Sequence, residues 1–342
     1  MSELDKIIHM ADGFIISKVL FASVNFDIYS RLSNSEKTVE QLGTELDIPA
    51  RSLERLLDVC VSLELLEKKN GKYSNTAASE KFLVQGKPDY FGYYCNARNN
   101  MLYSAWSNLE NCIKKGEFLV AVEGKKEDII GGVANNAEFA KRAMRAQHNY
   151  SQEVAVDFAN EIDLSKYKVM VDLGGGTGIF SVEAVKKFPH LKAVVFDRPF
   201  VLEVAKDIIA EHNVGDRVTI HPGDILNDTF PAGADVALIS GILDGYAEED
   251  CRRMLKKAYD YLPKGGLLIL TECVISDDRT GPVFAAIFSL LMLLRSKEGA
   301  CRSRGEMTLW LEDVGFQNII YKDITRVSGS YRCSGMLEAM KK

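Results

Sequence analysis

Two hydrophobic rhythms divide the chain. In the first third, apolar residues recur three and four positions apart; from Val169 onward they come in short runs separated by helical stretches. Phe14, Ile15, Ile16, Val19, Leu20, Ala22, Val24 and Phe26 form a band that predicts a buried helix leading to Asp27-Ile28-Tyr29. Thr38 to Leu42 opens a short helix, with Thr38 as N-cap and Gln41 completing a capping box. Pro49 to Leu53 opens another, which carries Leu53, Leu56, Leu57, Val59 and Cys60 at helical spacing. Leu65 to Tyr73 reads as two short strands around an Asn70-Gly71 turn. Further helices fill residues 80–160, including a long one around Glu138–Phe158.

Helix, helix, hairpin is the order of a winged helix, and two uses of it stay open. One is DNA binding; the other is a packing and dimerisation module. The second helix carries Arg51, Glu54, Arg55 and Asp58 and no basic face, which favours dimerisation. Beyond Val169, the strand-like runs are Val169–Val171, Ala193–Phe196, Val218–Ile220, Val236–Ile239 and Leu267–Leu270. Their alternation with helices predicts a Rossmann-like, doubly wound α/β sheet. The expected organisation is a helical, winged-helix-like module over residues 1–100, a helical linker over 101–160, and the Rossmann-like domain over 161–342.

Composition narrows the partners. Forty-two basic against 48 acidic residues give a net charge of -6, which argues against nucleic acid as the main partner. The N-terminus shows no signal-peptide pattern, and the most apolar run, Val283–Leu294, is too short to span a bilayer, so no membrane partner and a cytoplasmic location are expected. Seven cysteines lie scattered without a CxxC pair, and no His/Asp cluster has ligand spacing, so no metal is expected.

The most informative segment is Val171-Asp172-Leu173-Gly174-Gly175-Gly176-Thr177-Gly178, between a strand and a helix. Glycines there allow a tight turn and a close approach of backbone to ligand. Asp172 ends the first strand, where it can orient the glycine loop. Asp197 ends the next strand, where a carboxylate can accept from both hydroxyls of a ribose, and Asp224 follows the third, where it can meet an adenine amino group. An isolated strand-end carboxylate is ordinarily a solvated cap; three in register with a glycine loop point to a nucleoside-containing cofactor.

In order, VDLGGGTG, VVFDRP, HPGDILNDTFP and LPKGGLLIL resemble class I S-adenosylmethionine methyltransferases, and more narrowly the small-molecule O-methyltransferase family of caffeate, acetylserotonin and antibiotic-tailoring enzymes. The resemblance covers nearly the whole chain. It implies S-adenosylmethionine as cofactor, with S-adenosylhomocysteine as product, a small-molecule acceptor and a homodimer. It also implies cofactor contacts from Asp172, Gly174, Gly176, Asp197, Arg198, Asp224, Ile225 and Ser240. An acceptor wall is expected from Met144, His148, Tyr246, Phe284, Phe288 and Met292, with Arg295 and Arg302 as candidate anchors for an acidic acceptor. An NAD enzyme is the competing reading of the glycine loop, and the triple glycine and the Gly223-Asp224 motif disfavour it.

The resemblance breaks at the expected base. The family's Leu-His-Asp-Trp segment reads Leu243-Asp244-Gly245-Tyr246 here, so Asp244 stands at the histidine position. Asp244 is either a base whose pKa burial raises, or the cap of the helix that follows. The family's supporting Glu falls on Arg304, a charge reversal; His148 is a second catalytic candidate, and its bland reading is a structural histidine. Methylation at O or C is the expected reaction, in-line and driven largely by proximity. Two alternatives remain at this point: a non-methylating, hydroxylase-like enzyme that retains the cofactor, and a winged-helix regulator with a cofactor-sensing domain.

Overall fold

The computed structural model describes residues 2–116, 121–122, 125–126, 137–296, 298–324 and 335–342. The chain divides into two compact units, Met1–Ser104 and Ala105–Lys342.

The first unit opens with the helix Glu3–Asn25, started by a capping box between Ser2 and Asp5. The sequence band predicts it as buried, but Phe14 (58% exposed), Ile15 and Ile16 are open to solvent, as are Leu4, Ile7, Ile8 and Met10 ahead of them. Only its C-terminal end, at Phe21, Ser23 and Val24, is enclosed. By length and apolarity alone this helix could cross a membrane, a property the sequence reading assigned to no segment; its Glu3, Asp5, Lys6, Asp12 and Lys18 interrupt the apolar surface with charge.

The helices Val39–Leu46 and Ala50–Ser62 follow, and the Thr38–Gln41 capping box forms as expected. Leu53, Leu57 and Cys60 are buried at helical spacing, whereas Val59 faces outward. Strands β1 (Lys37–Thr38), β2 (Leu66–Lys69) and β3 (Lys72–Asn75) form a sheet in the order β1-β3-β2. Asn70 (φ 51°) and Gly71 (φ 76°) turn β2 into β3 with two left-handed residues, the geometry that matches the twist of a hairpin. Tyr73 is fully buried, and its hydroxyl donates to Asp58 Oδ1 at 2.7 Å, tying hairpin to helix.

The second unit contains the short pair β4 (Ala121–Val122) and β5 (Lys125–Lys126), and a seven-stranded sheet. The strands of that sheet are β6 (Val169–Leu173), β7 (Lys192–Asp197), β8 (Val218–Pro222), β9 (Val236–Ser240), β10 (Leu267–Glu272), β11 (Gln317–Asp323) and β12 (Gly335–Met340). Their order is β11-β12-β10-β9-β6-β7-β8; β6 to β10 are mutually parallel, and β12 runs antiparallel to both its neighbours.

Strands covered on both faces lose the polar alternation of a half-exposed sheet, which is why these runs read as continuously apolar. Met170, Leu238 and Ile269 point into a core shared with the helices Ala137–Glu161, Ile179–Lys187 and Pro199–Glu211. Their neighbours Val171, Ile239 and Leu270 point into the opposite core, with Met254 and Leu255 of the helix Glu248–Tyr261 and Trp310 of Arg304–Val314. Each such side chain, fully enclosed, contributes about 1.5–3 kcal/mol. The sheet reverses its winding between β6 and β9, and a crevice opens there at the carboxyl ends of the parallel strands.

Candidate active site

The glycine loop is stitched to the end of β7. The amide of Gly174 donates to the Phe196 carbonyl at 2.8 Å, and Gly178 donates to Gly175 at 2.8 Å. Gly174, Gly176 and Gly178 all have positive φ. A Cβ at Gly175 would come within 2.7 Å of Asp172 Cγ and 2.8 Å of Val195, so the loop lies flat on the strand ends. Gly176 meets nothing within 4 Å and faces open space.

The expected carboxylates converge on this loop. Asp197 Oδ2 accepts from the Gly176 amide at 2.8 Å and its Oδ1 from the Arg198 amide at 2.7 Å. Burial pushes the Asp197 carboxyl up, and those two amides pull it back. Asp224 Oδ1 accepts from the amides of Leu226 and Asn227, at 3.0 and 3.1 Å, and the Arg198 guanidinium reaches Asp224 Oδ2 at 3.3 Å. Arg198 thus ties the second carboxylate to the third. A cleft between them is lined by Gly174, Phe196, Asp197, Arg198, Gly223, Ile225, Ile242 and Tyr246.

Asp172 lies beneath the loop, 1% exposed, and its Oδ2 accepts from Ser181 Oγ at 2.8 Å. Its Oδ1 is buried with no hydrogen-bond partner, and burial pushes the carboxyl up to about 7. Asp172 supports the loop from below, while Gly174 lines the cleft itself. Ser240, at the end of β9, accepts from Thr271 Oγ1 at 2.6 Å.

The expected acceptor-wall residues fall in different places. Phe284 and Phe288 stack on one helix, Val283–Arg295, with centroids 5.8 Å apart, and Tyr150 stacks on Phe284 at 6.2 Å. Met292 is buried on the same helix. Met144 packs against the core shared with the sheet, and Tyr246 lines the cleft beside Asp197. His148 is buried, and its Nδ1 lies 3.4 Å from Oγ1 of Thr177, inside the glycine loop. Burial, then the nearby charges of Arg145 and His212, pull its pKa down to about 4, so the imidazole is neutral near pH 7.

Asp244 does not cap the following helix. Ala247 is the N-cap of Glu248–Tyr261, with no side-chain bond; Asp244 sits three residues earlier in the 3-10 turn Leu243–Gly245, 9% exposed. The turn packs against the helix Val283–Arg295. Arg304 is not the residue set beside Asp244: it is exposed, with its guanidinium 5.0 Å from the Tyr321 ring centroid. The carboxylate on which the Asp244 charge acts is Glu272, at the end of β10. Sequence reading passed over Glu272, although its signal was present: a lone carboxylate closing an apolar strand, one residue beyond the partner of Ser240 in the sheet. Arg302 is buried too; it donates to the Tyr246 carbonyl, and its guanidinium lies 5.5 Å from the Trp310 ring centroid. The side chain of Arg295, and Cys333, lie outside the described residues.

Known proteins share both sequence and shape. Residues 106–317 match the profile of the O-methyltransferase domain, and residues 8–85 that of the O-methyltransferase dimerisation domain. The chain belongs to the O-methyltransferase family. Its relatives include the 3-hydroxy-5-methyl-1-naphthoate 3-O-methyltransferase of Streptomyces sahachiroi, 29% identical over 91% of this chain and 88% of that one. The N,N-dimethyltransferase OxyT of Streptomyces rimosus is 26% identical over 93% and 92%. Human N-acetylserotonin methyltransferase, solved in complex with S-adenosylmethionine, superposes with a TM-score of 0.88 at 25% identity, covering 100% of this chain and 98% of that one. This member of the family is therefore an S-adenosylmethionine-dependent methyltransferase of the small-molecule class, built on the class I fold with an N-terminal helical dimerisation domain.

Proposed function

We infer that the protein methylates a planar aromatic, polyketide-like or tetrapyrrole-like acceptor at oxygen or carbon, as a homodimer in the cytoplasm. The observation that carries this reading is the Asp197 carboxylate, bonded to the Gly176 amide and facing the same cleft as Gly174 and Ile225. Bound S-adenosylmethionine supplies an electrophilic methyl group on a sulfonium. Asp197 is assigned the ribose hydroxyls, Asp224 and Ile225 the adenine end, and Gly174, Gly176 and Ser240 the amino-acid end. Arg198 holds Asp197 and Asp224 in register. The residues fit that group: a polar carboxylate rim, an apolar floor of Phe196 and Ile242, and a glycine at 176 where a side chain would enter the open space.

The stack of Tyr150, Phe284 and Phe288 favours a flat acceptor, because an offset aromatic face gains about 0.5–1.5 kcal/mol beyond its burial. No histidine occupies the turn after β9; the ionisable side chain there is Asp244. The exposed apolar face of Glu3–Asn25, in and beside the segment matching the dimerisation profile, supports the homodimer, and the helix–helix–hairpin order supports a winged-helix module serving that role. Incubating the protein with methyl-labelled S-adenosylmethionine and a panel of hydroxyarenes and polyketide phenols tests the reading. A label transferred to one class of acceptor supports it. A chemically altered acceptor without label points to the hydroxylase-like alternative.

A further inference from the structure

The segment that follows β8 is a loop bonded largely to itself. Asp224 Oδ1 accepts from the amides of Leu226 and Asn227 and, at 3.1 Å, from the side-chain amide of Asn227. The Asp224 amide donates to Asp228 Oδ2 at 2.8 Å, and the Asp228 amide donates back to the Asp224 carbonyl at 2.9 Å. These bonds give the loop its shape but do not tie it to the rest of the domain.

Lys257, half-buried on the helix Glu248–Tyr261, supplies such a tie. Its ammonium donates to the Ile225 carbonyl at 2.8 Å and to the Asp228 carbonyl at 2.5 Å, so one side chain spans the loop. Its Nζ also lies 4.3 Å from the centroid of the Phe230 ring. Two carbonyls and a ring face together hold an ammonium in one place. Phe230 in turn meets Phe196, which lines the cofactor cleft, edge to face at 5.5 Å. The same helix pins the far end of the loop, where the Tyr261 hydroxyl donates to the Pro231 carbonyl at 2.6 Å. The preceding lysine, Lys256, is exposed and pairs with Asp260 of its own helix.

The loop's ligand-facing groups lie within the span that Lys257 holds. Ile225 lines the cleft, and its Cδ1 would lie 3.9 Å from a Cβ at Gly174. Asp224 Oδ2 meets Arg198 at 3.3 Å, and a carboxylate oxygen accepts two hydrogen bonds, so it can also take a ligand N–H. Just before the loop, a Cβ at Gly223 would come within 2.3 Å of the Phe196 ring, so the backbone there lies directly on that ring. A hydrogen bond weakens steeply as it is bent, so a loop free to slide on Phe196 would lose its bond to a ligand first.

We propose that Lys257 is a positioning residue for the cofactor's adenine: by holding the Ile225 and Asp228 carbonyls it sets Asp224 and Ile225 where they select a 6-amino purine. It acts through the loop and not on the ligand. The inference rests on the assignment of Asp224 and Ile225 to the adenine end, and the experiment separates the two.

Calorimetry with S-adenosylhomocysteine and its deaminated analogue, S-inosylhomocysteine, reads the effect with no need of the methyl acceptor. The analogue carries a carbonyl oxygen in place of the purine amino group and offers Asp224 no proton at that position. The wild type should favour the adenosyl compound by about tenfold or more, the scale of one hydrogen bond to a charged group. Lys257→Met removes the donors and keeps an unbranched stem; it should cut the preference below about threefold, chiefly by weakening the adenosyl compound. Lys257→Gln provides a second uncharged variant with the same expectation. Lys257→Arg, which keeps cationic donors, should preserve the preference to within about threefold, and Lys256→Met should leave it unaltered. Cooperative thermal unfolding certifies the fold of each variant. A preference that survives both Lys257→Met and Lys257→Gln overturns the positioning role, and so does an equal loss for both compounds, the mark of a merely structural lysine. A wild type that binds the two compounds equally overturns the adenine assignment of Asp224, and the role of Lys257 falls with it.

Discussion

At the scale of single residues, legibility followed whether a side chain does its work through local spacing or through tertiary proximity. Asp197 and Asp224 were legible because a strand end and a glycine loop fix their positions within about fifty residues of sequence. Glu272 and Arg302 were not: Glu272 meets the Ile242 and Leu243 amides only when β10 lies beside β9, and Arg302 meets the Tyr246 carbonyl only when the segment before the last helix folds back. His148 illustrates the middle case: its helix was predicted, but its partner Thr177 is 29 residues away. The buried acid has a measurable consequence. Folded Glu272 keeps its proton up to about pH 8, whereas unfolded glutamate loses it near 4.5. Across that window the folded state binds more protons, so stability falls as pH rises, by at most about 1.4 kcal/mol per pH unit for one proton. His148, with a lowered pKa, acts in the opposite sense, but only between about 4 and 6.5. Chemical denaturation at pH 6.5 and pH 8 should therefore show a less stable protein at pH 8, and Glu272→Gln should reduce the difference, leaving the smaller part that Asp172, held up to about 7, contributes. An unchanged slope in the variant would remove Glu272 as the source.

At the scale of elements, periodicity and capping predicted the helices and strands well, because 3.6- and 2-residue periods and caps are local properties. The Thr38 capping box and the Asn70-Gly71 turn formed as read. Burial was less legible: an apolar stripe says that a helix needs a partner, not that the partner lies in the same chain, and Glu3–Asn25 is the example. The cap reading of Asp244 failed for a related reason. Acidic residues before a helix suit its dipole, yet here Ala247 takes the cap position and Asp244 turns inward. The glycine loop admits a sharp test. Gly175→Ala places a methyl group against Asp172 and Val195, which costs about 1–3 kcal/mol if the loop stays and displaces Gly176 if it moves. Either way S-adenosylmethionine affinity should fall at least tenfold by calorimetry, and wild-type affinity in Gly175→Ala would show that the loop does not need to lie flat.

At the scale of the whole molecule, the catalytic fold was visible in the order of its motifs, while the first unit's function depends on a surface the single chain leaves open. Seven large apolar side chains in the first fourteen positions of Glu3–Asn25 remain exposed: Leu4, Ile7, Ile8, Met10, Phe14, Ile15 and Ile16. A patch of that kind marks an association surface. Sedimentation at micromolar concentration should show a dimer, and Ile15→Asp should shift it toward monomer with its fold retained; an unaltered mass would place the interface elsewhere. The claim on which the rest depends is that the crevice at the ends of β6, β7 and β8 holds S-adenosylmethionine through Asp197. Calorimetric titration of the wild type beside Asp197→Ala tests it most directly. The account predicts micromolar binding that the substitution weakens tenfold or more, about 1.4 kcal/mol; equal affinity in the two proteins would contradict it.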